Sequence, residues 1–128
     1  MLYQVPCLSL LQRLTFLDAS DNEIGALPAK FGELKWLKVA RLSRNHIVDM
    51  RPFVGLTACE ELGLAHNEIT QIPDTISQMT SLVTLDLSHN GLVSLHPAIC
   101  SVSLCLRVEH IIIVIIIIIV FIIVTTYC

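Results

Sequence analysis

Apolar residues recur along this chain in one frame, used four times. Leu14, Leu17, Ala19 and Ile24 surround Asn22, and Leu37, Ala40, Leu42 and Ile47 surround Asn45. Cys59, Leu62, Leu64 and Ile69 surround Asn67, and Leu82, Leu85, Leu87 and Leu92 surround Asn90. The asparagines stand 23, 22 and 23 residues apart. Inside each frame, Leu17 and Ala19, Ala40 and Leu42, Leu62 and Leu64, and Leu85 and Leu87 alternate with other residues. A period of two predicts a short half-buried strand. A unit this short cannot enclose a core alone, so successive units must stack into a solenoid. The strands are then expected to pair in parallel along the concave side of an arc.

Between frames the chain returns through Ile24, Leu27, Pro28 and Phe31, then through Ile69, Ile72, Pro73 and Ile76, and finally through Leu92, Leu95, Pro97 and Ile99. The return after Ile47 is a variant, with Pro52 one place later between Met50 and Phe53. Proline fixes φ and lacks an N–H, which favours an extended or turning path over a long helix. The whole frame, LxxLxLxxNxL, resembles the leucine-rich repeat family from about residue 2 to 101. The LPxxF/I return resembles the intracellular repeats of Ras-associated and cell-polarity scaffolds. The resemblance implies an α/β solenoid with short parallel strands on the concave face. It also implies that Asn22, Asn45, Asn67 and Asn90 form a buried ladder bonded to backbone groups at the turn. Only an amide brings donor and acceptor together at that size, and losing one is expected to cost about 1–3 kcal/mol.

Leu11, Leu34, Leu56 and Met79 open four full repeats, at 11–33, 34–55, 56–78 and 79–101. A partial repeat at 1–10 precedes them, with Leu2, Val5 and Pro6 matching Ile24, Leu27 and Pro28. After residue 101, Val102, Cys105 and Val108 continue the 23-residue register, but His110 and Ile113 break it, so 102–110 reads as a degenerate partial repeat. Both ends look cut, with no polar capping repeat of the kind that solenoids use to cover a terminal core. Four repeats stand little above the three that such a fold needs, and marginal folding is expected.

The remaining segment, 111–128, is almost entirely apolar. Its unbroken run of 14 apolar residues begins at Ile111 and ends at Val124. As helix, 18 residues reach about 27 Å against a hydrocarbon core of about 30 Å. The run contributes on the order of −4 to −8 kcal/mol to insertion. One reading is a single transmembrane helix that anchors the chain by its tail, leaving Arg107, Glu109 and His110 at the cytosolic face. The others are an exposed, aggregation-prone β segment, a non-native extension of low-complexity origin, and a buried terminal strand.

Composition narrows the function. The 128 residues are 54% apolar with a net charge of −3. There is no basic stripe of the sort nucleic acid requires, so nucleic-acid binding is not expected. The five cysteines form no CxxC pair, and Cys59 stands where other repeats have Leu, as a small buried hydrophobe. No ordinary signal peptide and no N-x-S/T sequon occur. The repeats therefore read as cytoplasmic and reduced.

The strand positions that point away from the core form four columns: Phe16, Val39, Glu61 and Thr84; Asp18, Arg41, Gly63 and Asp86; Ser20, Ser43, Ala65 and Ser88; and Asp21, Arg44, His66 and His89. Asp18 and Asp21 are expected to pair with Arg41 and Arg44 across strands, and exposed pairs of this kind contribute little. The sharper reading is a docking patch of mixed charge with Phe16 and Val39 as apolar anchors. His66 and His89 fall one strand apart, but two histidines without a third ligand do not make a zinc site. The repeat alone explains their alignment. Serine columns lack an activating His–Asp arrangement, no P-loop, GxGxxG or HExxH occurs, and no catalytic residue, cofactor or metal is assigned. Trp36, beside Lys35 and Lys38, is expected to pack on the convex side.

The expected role is protein–protein recognition by the concave face, with a small GTPase or other signalling protein as the class of partner the resemblance implies. The run from Ile111 to Val124 adds a tether to a membrane. A different class of reading is a regulatory fragment of a larger leucine-rich repeat kinase, phosphatase or cyclase, and a third is a truncated product with no function of its own.

Overall fold

The computed structural model describes residues 11–93 and the backbone of a further strand at 105–107. The partial repeat at 1–10, the return through Leu95, Pro97 and Ile99, most of 102–110 and the tail at 111–128 lie outside the described residues.

Alternation gives one strand per repeat: β1 (Phe16–Asp18), β2 (Val39–Arg41), β3 (Glu61–Gly63), β4 (Thr84–Asp86) and β5 (Cys105–Arg107). They pair in parallel in chain order. Phe16 lies opposite Val39, Val39 opposite Glu61, and Glu61 opposite Thr84. The middle residues of β2, β3 and β4, namely Ala40, Leu62 and Leu85, are fully buried. Each strand has three residues, yet the ladder runs further: Leu42 N donates to Gly63 O at 2.8 Å, and Arg44 N to Ala65 O at 2.8 Å. Backbone groups that enter the turn thus stay paired, as buried polar groups must.

The fifth strand departs from the sequence register. A 23-residue period puts Val108 beside Leu85, whereas the pairing sets Leu106 there, two residues earlier. Strand pairing fixes the backbone match, and the return adapts its length to it. The same accommodation operates between the second and third repeats, where the asparagine spacing is 22 rather than 23.

The returns take the turning path that their prolines favour over a long helix. Each described return carries a 3-10 helix, at Ala29–Glu33, Arg51–Phe53 and Asp74–Gln78. No α-helix occurs among the described residues, so the helical half of the α/β expectation is corrected to 3-10 turns. The cause is local. Pro28 and Pro73 sit at the N-caps in extended geometry, ψ 145° and 148°. The chain must turn back within five residues, and 3-10 geometry suits such short pieces. Each helix drives one side chain inward: Phe31, Phe53 and Ile76 are buried. Phe31 and Phe53 meet edge to face with centroids 5.5 Å apart.

Two glycines let successive returns touch. A Cβ on Gly55 would lie 2.6 Å from Gly32 O, and one on Gly32 would lie 3.0 Å from Pro52 O. Lys35 Nζ closes the junction by donating to Gly32 O at 3.0 Å and Gly55 O at 2.7 Å.

The core is one column of stacked apolar layers from Phe31 to Leu92. It opens at the first repeat. Leu11 is 41% exposed, whereas Leu34, Leu56 and Met79 in the same place are buried. Leu14, Leu17, Ala19, Ile24 and Leu27 are partly buried there and line an apolar hollow of about 110 Å³.

Candidate functional site

The outward strand positions are exposed or half-buried in all four repeats, so the alternation places the candidate columns on one open sheet face. Phe16 is 51% exposed at one edge, beside half-buried Val39. The parallel register brings Asp18 beside Arg41, and Gly63 beside Asp86. Glu61 and Thr84 complete the row that starts at Phe16.

The expected charge pairing holds in half. Arg44 pairs with Asp21 at 3.5 Å. Arg41 instead turns to Glu61, Nε to Oε1 at 3.0 Å, while its guanidinium carbon stands 5.6 Å from the centre of the Phe16 ring. Asp18 accepts a hydrogen bond from the Ser20 backbone N–H at 3.0 Å. That bond, seconded by the Ser20 side chain and the Arg41 charge, holds its carboxyl below the usual carboxylate range.

The serine column is corrected as a surface. Ser20 and Ser43 are half-buried, while Ala65 and Ser88 are buried. Ser88 Oγ lies 2.6 Å from Asp86 Oδ1, which also accepts the Ser88 N–H at 3.0 Å. These residues close the strand end and contribute no nucleophile.

The next column carries a backbone feature that the sequence reading missed. Asp21, Arg44, His66 and His89 all have φ between 54° and 56°. This left-handed residue sharply redirects the chain after the strand and aims the following asparagine inward. Asp and His tolerate the conformation better than most non-glycine residues. His66 and His89 stack with centroids 4.0 Å apart and planes 12° from parallel. No group of three His, Cys, Asp or Glu suited to a metal occurs among the described residues.

The ladder is built by the asparagines themselves. Asn67 Nδ2 donates to Leu42 O and Leu64 O at 3.0 Å, and to Ala65 O at 3.3 Å. Its Oδ1 accepts the Ile47 N–H at 3.0 Å. Asn45 and Asn90 make the same bridges to the preceding repeat, through Ile24 and Ile69 respectively. Asn45 and Asn67 are buried, and Asn90 is half-buried. Asn22 differs. It is exposed and donates to Ala19 O and Ser20 O within its own turn, so the buried ladder does not extend to it.

Two further exposed columns border the face. Thr15, Lys38, Glu60 and Val83 precede the strands, and Glu23, His46 and Glu68 follow the asparagines; all are exposed. Lys38 pairs with Glu60 at 3.6 Å, and His46 Nδ1 lies 2.8 Å from Glu68 Oε1. The signal was present in the sequence, because these residues share the repeat spacing. A strict alternation rule stops at the three-residue strand and omits them.

Trp36 is corrected too. It is 64% exposed rather than packed on the convex side. Cys59 behaves as expected: it is fully buried, with Sγ 3.4 Å from Glu61 O, and burial pushes its thiol up to about 11.

Charge among the described residues is segregated. Within residues 11–93 the face and its bordering columns together carry Asp18, Asp21, Glu23, Glu60, Glu61, Glu68 and Asp86 against Lys38, Arg41 and Arg44, a balance of −4 with neutral histidines. Elsewhere in that span, Arg13, Lys30, Lys35 and Arg51 outnumber Glu33, Asp49 and Asp74 by one.

Comparison with known proteins agrees with this architecture. The family profile described as leucine rich repeat matches residues 37–92. The chain is similar to leucine-rich repeat serine/threonine-protein kinase 1 of Mus musculus, 29% identical over 115 residues, covering 80% of this chain and 6% of that protein. It is similar to adenylate cyclase of Schizosaccharomyces pombe, 33% identical over 86 residues, covering 64% of this chain and 5% of the cyclase. Among solved structures, a leucine-rich repeat protein of Leptospira interrogans aligns with a TM-score of 0.62 and 26% identity, over 71% of this chain and 25% of that one. With the asparagine bridges, the one-strand repeats and the profile match in agreement, the chain belongs to the leucine-rich repeat family.

Proposed function

We propose that this chain holds a protein partner on the open face of its parallel sheet and has no catalytic activity of its own. The observation that carries the reading is the face itself. Four strands present Phe16, Val39, Arg41, Glu61 and Thr84 in continuous register, with Asp21, Arg44, His66 and His89 along the following turn. Asp18 and Asp86 complete the docking surface. Strands about 4.8 Å apart make these side chains one field. Phe16 and Val39 serve as apolar anchors, since exposed aromatic groups bordered by polar ones dominate recognition energetics.

The intracellular LPxxF/I type belongs to this proposal and rests on Leu27, Pro28 and Phe31, and on Ile72, Pro73 and Ile76. It favours a cytoplasmic setting and a signalling partner such as a small GTPase. Photo-crosslinking in cells tests the reading, with a benzophenone amino acid at Phe16 or, on a 3-10 helix away from the face, at Gln78. A discrete protein adduct from position 16 alone is expected. Equal adducts from both positions would refute it.

Tethering to a membrane through residues 111–124 is part of the same proposal and rests on the length and hydropathy of that run. Among the described residues no helix is long and apolar enough to cross a membrane. Flotation of the full chain beside a version ending at Val108 decides the matter. Buoyancy of the full chain alone supports an anchor, and a dense pellet of the full chain alone refutes it.

A second reading is favoured by the comparisons: the repeats serve as the regulatory part of a larger enzyme. The kinase and the cyclase carry the matching segment within proteins of which this chain spans 6% and 5%. A catalytic domain in the same reading frame would establish it.

A further inference from the structure

We infer that the partner presents a basic segment with an apolar side chain, which seats on Phe16 and Val39 while its cations meet the carboxylates of the first repeat. The inference rests on the reading of the sheet face as the docking surface and adds the chemistry of what docks there.

Charge complementarity selects the occupant. The cations of the face and its border, Lys38, Arg41 and Arg44, all belong to the second repeat. Each is already set against a carboxylate of a neighbouring repeat, at 3.6, 3.0 and 3.5 Å respectively. An acidic partner would have to break one of these pairs and would still face an excess of four negative charges. Residues 1–10 contain no charged side chain and do not alter the balance beside Phe16.

A basic partner breaks nothing. Asp18 and Glu23 flank the turn after Phe16 and take part in no ion pair within 4.0 Å among the described residues. Asp18 spends one oxygen on the Ser20 N–H, which leaves its charge directed outward. The apolar component is independent of charge. Phe16 is 51% exposed on the face and Val83 55% exposed at its other side, so a purely polar basic chain would leave both wet. Apolar contact supplies affinity, and charge supplies selectivity and approach rate.

Panning of a random displayed peptide library against the immobilised full chain, in a neutral detergent, tests the inference. The enriched peptides are then measured against Phe16→Ser, against the double change Asp18→Asn with Glu23→Gln, and against oligolysine. All three positions are exposed, and Asn at 18 keeps the oxygen that accepts the Ser20 N–H, so circular dichroism should match the parent. Peptides rich in Lys or Arg beside an apolar residue are expected. Their affinity should fall about tenfold with Phe16→Ser. It should also fall several-fold with the double change, and about tenfold between about 50 and about 500 mM salt. Phe16-dependent peptides that are acidic or neutral, and indifferent to the double change, would overturn the basic partner while leaving the docking face in place. The absence of any Phe16-dependent peptide would overturn both. Equal binding of oligolysine, unaffected by Phe16→Ser, would reduce the effect to unspecific charge attraction and overturn the inference.

Discussion

Residue by residue, each repeat solves the same problem, which is to reverse the chain without stranding polar groups. The left-handed residue before each asparagine is the costly part, because a side chain there crowds its own backbone. His66 at φ 54° illustrates it. Valine at 66 should lower stability by about 1–2 kcal/mol, since β-branching makes that conformation worst, whereas glycine should be close to neutral despite losing the stack on His89. Chemical denaturation of the two variants checks the contrast. Cys59 gives a pH signature. Its thiol is pushed up to about 11 in the folded chain by burial. The unfolded chain releases that proton first, so the contribution is complete below the ordinary thiol range and disappears as pH rises towards about 11. Stability of the parent should therefore fall across that alkaline window, and Cys59→Ser should be less stable throughout but flatter there. Equal slopes would show that the thiol does not titrate with unfolding.

At the scale of elements, the returns decide how closely repeats can stack. The helices Ala29–Glu33 and Arg51–Phe53 approach until the backbones of Gly32 and Gly55 touch, with Lys35 donating to both carbonyls. Gly55→Ala sets a Cβ at 2.6 Å from a backbone oxygen, so one return must move. A loss of about 1–3 kcal/mol is expected, of the order found for overpacking. Thermal unfolding would show it as a clear drop in Tm, and an unchanged Tm would mean that the returns slide apart freely. In Arg51–Phe53 the Asp49 carboxylate caps the turn by accepting from Arg51 N and Nε, at 2.9 and 3.0 Å. The guanidinium and the backbone N–H together hold Asp49 below the usual carboxylate range.

Across the whole molecule, stability is a chain of neighbour contacts, so position along the solenoid matters as much as residue type. Asn67 bridges two repeats inside the core, whereas Asn22 is exposed at the open first repeat. Asn67→Ala should cost about 1–3 kcal/mol or slightly more, as several buried backbone groups lose partners together. Asn22→Ala should stay within about 0.5 kcal/mol, the range of ordinary surface changes. Hydrogen exchange should show the Ile47 amide losing protection in the first variant, with the Ile24 amide little affected in the second, because Ile24 bonds to Asn45. Equal costs would contradict an open first repeat. The exposed ion pairs add little to this total, since solvent screens them; their arrangement matters for what the face attracts.

The sequence by itself determined the repeat, the strand positions in the first four repeats, and the asparagine ladder at Asn45, Asn67 and Asn90, while the exposure of Asn22 was decided by its place at the first repeat. The repeat, strands and ladder follow from a local period that stacking must respect. Tertiary structure decided what depends on neighbours. Arg41 chose Glu61 over Asp18 because a parallel sheet offers it a partner on either side, and Asp18 was already bonded to Ser20. The 3-10 returns, the contact of Gly32 with Gly55, the exposure of Trp36 and the early register of β5 belong to the same class. No window of sequence contains the distance between two returns or the depth of a turn, because the packing of one repeat on the next sets both.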